Sequence, residues 1–169
     1  MPVTNRILPY ALCELVREKV ISLALQHEED DVSPPVYAGT LPNYDDAPDQ
    51  LSDDLAETIA PKNAMGILLP QGTDGLLPSS TYSLQILIRH DRLTPDGEQG
   101  KRVAAWYAER LYEALHRTRV AASDFPDATF EEVEREWVFM VANHPPSPYY
   151  WDSRNLVVFS LNFTCTGVG

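Results

Sequence analysis

With 169 residues and 44% hydrophobic content, the chain holds enough apolar material for one domain with a real core and is short for two. Its formal net charge is −12, from 13 basic against 25 acidic side chains with no basic stripe, which argues against a grip on nucleic acid built from phosphate contacts. No stretch approaches the ~18 apolar residues that span a bilayer, and Cys13 and Cys165, far apart and without metal-ligand spacing, suggest neither a disulfide framework nor a zinc site.

The opening stretch MPVTNRILPYALCELVREKV lacks the unbroken apolar core of a signal peptide, because Glu14, Arg17, Glu18 and Lys19 interrupt it; a soluble protein made in the cytosol is expected. From Pro9 to Leu25, Leu12, Leu15, Val16, Val20, Leu23 and Ala24 recur at spacings of three and four, the pattern of an amphipathic helix with Pro9 in its first turn. A long acidic excursion follows from Gln26 to Asn63. Between Val20 and Pro61 there is no Lys or Arg, while Glu28, Glu29, Asp30, Asp31, Asp45, Asp46, Asp49, Asp53, Asp54 and Glu57 all fall there. Its prolines and brief apolar runs leave room for a short strand at 36–39 and a helical turn at 52–59, and its acids are expected to be solvated.

AMGILLPQG predicts a short apolar strand ending at Pro70. TYSLQILIRH is the clearest strand: Tyr82, Leu84, Ile86 and Ile88 share one face, Ser83, Gln85 and Arg89 the other. A helix is predicted over 98–117, capped by Thr94 or Asp96, with Pro95 early, His116, Arg117 and Arg119 near its C-terminal end, and Val103, Tyr107, Leu111, Ala114 and Leu115 as the buried stripe. EEVEREWVFMVAN suggests a strand with Val133, Trp137, Phe139 and Val141 inward, although Arg135 breaks the pattern. In the last strand Val157, Phe159, Leu161, Phe163 and Cys165 face in, and Ser160, Asn162, Thr164 and Thr166 face out. The predicted class is α+β: a mostly antiparallel sheet of about four strands against two main helices, with a C-terminal β-hairpin, in a single domain over residues 1–169.

The four histidines, His27, His90, His116 and His144, form no HExxH or other helical pair, and HEEDD at 27–31 lacks the glycine and spacing of a calcium loop. RHDR at 89–92 is expected to be a solvated charge run at a strand end. GEQGKR fails as a phosphate loop, since Pro95 stands at the first glycine and Arg102 at the Ser/Thr. No catalytic, cofactor-binding or metal residue is assigned. What remains is HPPSPYYW. Prolines lower the entropy lost on docking, and Tyr149, Tyr150 and Trp151 carry large amphipathic area, so His144, Pro145, Pro146, Pro148, Tyr149, Tyr150, Trp151 and Asp152 are the interface candidates. The competing reading folds the aromatics back as a lid on the sheet end.

A strand with YSLQILIR, a helix ending in LYEALH, a further strand, the proline and aromatic loop, the turn WDSRN and a final strand with VFSLNF, in that order, resemble the tail terminator proteins of long-tailed bacteriophages. The resemblance spans roughly residues 66–166, with GILLPQG matching an earlier strand of that family. One departure is the turn, where Trp151 leads straight to Asp152 and Ser153. The resemblance implies a structural virion protein, not an enzyme, without cofactor: a hexameric ring of identical copies that caps the finished tail tube. Its partners would be the tail tube protein and a neck or head-completion protein, with DNA passing a central channel unbound and no membrane contact. It would be assembled in the host cytoplasm and reside in the virion near the head–tail junction. Other readings are a neck, connector or tube subunit, and a small-molecule or catalytic domain using Arg89, His90 and Tyr82 around a cleft.

Overall fold

A computed structural model of the chain describes residues 9–42, 61–69, 71–72, 81–126, 137–151 and 156–168. Helix α1 (Pro9–Ser22) is followed by strands β1 (Val36–Gly39), β2 (Ala64–Leu68), β3 (Gln71–Gly72) and β4 (Thr81–Asp91). Helix α2 (Glu98–Leu115) leads to β5 (Thr118–Ala121), a 3-10 turn (Ala122–Asp124), β6 (Trp137–Ala142), β7 (Ser147–Trp151) and β8 (Leu156–Val168). The fold is α+β, as predicted. The sheet is larger than the expected four strands, because eight are described, six of them in the order β1-β2-β4-β8-β6-β5, with β3 beside β4 and β7 beside β8. It is also mixed, since β1 runs parallel to β2 while the other pairs are antiparallel.

The centre is the β4–β8 ladder, in register from Thr81↔Thr166 to Asp91↔Leu156. The alternation of both strands puts Tyr82, Leu84, Ile86, Ile88, Phe159, Leu161, Phe163 and Cys165 into one core with Leu12, Leu15, Val16 and Val20 of α1 and Val103, Tyr107, Leu111 and Leu115 of α2. Both helices thus cover the same face. Because α1 packs against β1, β2 and β5, strands from both ends of the sheet, the sheet must curl round it. The thiols sit in this core, where burial pushes Cys13 up to about 11 and Cys165 up to about 12.

Several local expectations change. Phe139 is exposed and Val141 half-buried, whereas Val138 and Met140 are buried, so the even positions of β6 face the core. WVFMVA is apolar on both faces and cannot announce its own parity; pairing with β8 decides it, setting Met140 opposite buried Cys165 and Phe139 opposite Thr166. Val133 and Arg135 lie outside the described residues, as does the helical turn expected at 52–59. The strand expected at 36–39 is β1.

Helix α2 begins one residue later than an Asp96 cap and three later than a Thr94 cap would have it, with Gly97 as N-cap at φ 75 and ψ 1. Thr94 and Asp96 still serve the helix start: Gln99 N donates to Thr94 Oγ1 at 3.3 Å and Glu98 N to Asp96 Oδ1 at 3.1 Å. The Thr94 hydroxyl, donating to Asp96 Oδ1 at 2.7 Å, and then the Glu98 N–H hold the Asp96 carboxyl below its usual range. Gly100 is required for packing, since a Cβ there would lie 2.1 Å from Asp91 O. At the other end His116 is the cap, Arg117 turns the chain and Arg119 belongs to β5, so none of the three is in the last helical turn; Ala114 is only half-buried.

Candidate functional site

The proline segment is not a loop. Residues 147–151 form β7, which pairs with the first part of β8 from Ser147↔Ser160 to Trp151↔Leu156, while β6 pairs with the rest of that same edge from Ala142↔Phe163 to Trp137↔Val168. Strands β6 and β7 thus lie end to end along one edge of β8, with β4 along the other. Among the described residues β7 is flanked on one side only, by β8, and proline fits an edge whose alternate N–H groups are not needed for pairing. Of the interface candidates, Pro148, Tyr149, Tyr150 and Trp151 lie in β7, His144, Pro145 and Pro146 form the kink before it, and Asp152 falls outside the described residues.

The kink is fastened by polar contacts to β8. Asn143 N donates to Asn162 O at 2.9 Å, and Thr164 Oγ1 donates to Asn143 Oδ1 at 2.7 Å. The His144 ring is fixed by Pro145 O, 2.8 Å from Nδ1, and by Asn162 Nδ2, 3.3 Å from Nε2, partners that assign the ring proton to Nδ1. His144 and Pro145 are exposed and Pro146 half-buried. The kink therefore sets how the chain passes from β6 into β7 along the same edge of β8.

At the end of β4 away from the kink the structure brings together residues that sequence patterns named only separately. Arg89 is 1% exposed and His90 0%, so RHDR is not a solvated charge run in its first half, and Asp30, 8% exposed, is not one of the solvated acids. His90 continues the even, inward positions of β4, and its Nε2 lies 2.8 Å from Asp30 Oδ1 while Nδ1 lies 2.9 Å from Asp91 O. Asn63 Nδ2 donates to the same Asp30 oxygen at 3.1 Å, and Tyr107 Oη of α2 donates to Asp30 Oδ2. The phenol in turn accepts from His27 N at 2.9 Å; burial, then the Asp30 contact, raises its pKa well above the usual tyrosine range. A buried carboxylate needs such donors.

Arg89 points to the other face and ties three backbone carbonyls: Pro42 O at 2.7 Å, Pro61 O at 2.8 Å and Lys62 O at 3.1 Å. Those carbonyls flank residues 43–60, so one guanidinium holds together the points where the chain leaves and re-enters. One dipeptide therefore anchors the acidic excursion twice, His90 at Asp30 and Arg89 at Pro42 and Pro61.

No family model matches the chain. No curated protein matches it in sequence either. Among the described residues no cluster of three or more His, Cys, Asp or Glu is placed to hold a metal ion, and no helix is long and apolar enough to cross a membrane. Arg89, His90 and Tyr82 do not surround one cleft: Tyr82 and His90 are eight positions apart, ~27 Å along the strand, and Arg89 leaves by the opposite face. Asp30, His90 and Tyr107 are sealed by the core, and their geometry serves to anchor the chain. A core-parity histidine on β4 and a tyrosine in the buried stripe of α2 were the signal that a carboxylate had to reach the interior.

Proposed function

We propose that this chain is a structural subunit of a phage tail, of the terminator type: copies form a ring that caps the tail tube, stops its growth and joins it to the neck. The reading rests on the ordered set of strands and helix that resembles the family. The observation that carries it further is the arm, in which the backbone of the proline and aromatic segment is paired with β8 and braced at its kink. A pre-ordered contact element loses little entropy when it docks. The strongly acidic chain also suits a ring through which DNA passes without sticking.

In this reading the ring is a hexamer placed at the head–tail junction, with tube protein on one side and a neck protein on the other, and it performs no reaction. Light scattering on the purified chain, alone and mixed with tube protein, tests it. A particle of about six times the 19.0 kDa chain mass, bound to tube ends in electron micrographs, is expected. A monomer that persists with tube protein present sinks the proposal, and growth into long tubes would make the chain a tube subunit instead. Serine at Tyr149, Tyr150 and Trp151 leaves the chain folded and abolishes capping; a variant that unfolds would place those rings in the core and remove the arm as a contact.

A further inference from the structure

The face of the sheet away from the helices is divided. At one end Leu41 and Ala64 are buried, with Tyr37, Leu68 and Leu87 against them, and Val158 and Arg89 are covered as well. In the remainder, over the other half of β4 and β8 and the start of the β7 kink, Ser83 and Asn143 are exposed and Gln85, Asn162, Thr164 and Thr166 half-buried. Its described residues include Ser83, Gln85, Asn143, Asn162, Thr164 and Thr166, all neutral. A trough of about 550 Å³ runs here between Leu69, Gln85, His144 and Asn162. Toward the β5 edge the cation Arg119 lies opposite Phe139.

Two properties distinguish this surface. It carries no formally charged residue among those described, in a chain of net charge −12. Five of its polar side chains are also bonded among themselves: Gln85 Nε2 donates to Ser160 Oγ at 2.8 Å, Asn162 Nδ2 donates to Ser160 Oγ at 3.1 Å, and Thr164 Oγ1 donates to Asn143 Oδ1 at 2.7 Å. Covering such groups leaves few donors stranded. Leu69, 54% exposed, and Phe139, 37% exposed, add apolar area at its rim.

We infer that this neutral face is where a second copy of the chain seats. The inference rests on the ring reading and names the surface that ring formation uses. Copies that each carry −12 repel, and interface cores are depleted of charge because like charges brought together cost several kcal/mol. A highly charged protein that assembles with itself needs an area where its own charge is absent, with its polar groups already satisfied. The described residues of this face meet the first condition, and Gln85, Ser160, Asn162, Thr164 and Asn143 meet the second.

Sedimentation velocity over a concentration series tests it with single charges. Gln85→Glu is nearly isosteric and Ser83→Glu alters an exposed position, so both remain folded, which thermal melts verify. Each is expected to raise the midpoint concentration of assembly on the order of tenfold or more. Ser83→Gln, which adds bulk without charge, and Gln99→Glu, the same charge on α2, assemble like the parent chain. If Gln85→Glu and Ser83→Glu assemble like the parent, the inference is overturned while the ring stands. It is equally overturned if they assemble normally and lose only tube or neck binding, since the face then belongs to that partner. A parent chain that is monomeric at every concentration, with tube protein present, defeats the ring reading itself and is told apart by that control.

Discussion

Ser83 and Gln85 near one end of β4, and Arg89 and His90 near the other, are polar residues on one continuous strand paired along its whole length with β8. The first pair is neutral, partly open to water and bonded, through Gln85, to a neighbouring strand; the second is buried and tied to segments far away in sequence. The difference lies in what covers each end. Where the excursion folds over the strand, a cation and an imidazole find carbonyls and a carboxylate, and burial of polar groups is compensated. Where nothing described covers it, the chain offers only amides and hydroxyls, and stays charge-free.

Breaking the covered end has the largest effect. Asp30→Ala strands His90, Tyr107 and Asn63 at once and is expected to cost about 4 kcal/mol in urea unfolding; a loss below about 1 kcal/mol would mean that the network is not an anchor. Arg89→Met keeps the apolar stem but frees three carbonyls, with an expected cost of about 3 kcal/mol. A melting temperature equal to that of the parent would show that the guanidinium clamps nothing.

An alkaline titration probes the core behind the neutral end, where Cys165 lies opposite Tyr82. Free thiols ionise near 9.0, whereas burial raises Cys13 to about 11 and Cys165 to about 12. The folded state therefore binds these protons more tightly than the unfolded chain does, so their contribution is fully present below about 9 and is lost as pH rises through 11 and 12. Stability should fall over that window, and a Cys13→Ala, Cys165→Ala chain should lose the part of the slope due to the thiols. An unchanged slope would refute the assignment. The smallest effect belongs to the open end: Gln85→Ala should cost about 0.5 kcal/mol, and a cost above about 2 kcal/mol would erase the contrast between the two ends.

Much of this was legible along the chain. The alternation in TYSLQILIRH and in the last strand named the inward residues of β4 and β8, and the spacing in α1 and α2 named most of their buried stripes, because period and burial coincide where one face is apolar and the other polar. The same parity carried a weaker message at His90, which continues the inward positions of β4. The candidate arm was legible as composition only. Three prolines and three aromatics look like a loop until a partner edge exists for them to join, and β8 supplies that edge.

What tertiary structure alone decided are the features whose partners are distant in sequence. The parity of β6 is one, since WVFMVA is apolar on both sides and only its register with β8 sets Met140 inward. The burial of Asp30, Arg89 and His90 is another, because a local pattern records a charge but not the donors and acceptors that lie elsewhere in the chain, 60 positions away for the Asp30–His90 pair. Hydrophobic periodicity is a local property of the chain; compensation of a buried charge is made between segments, and the fold brings those segments together.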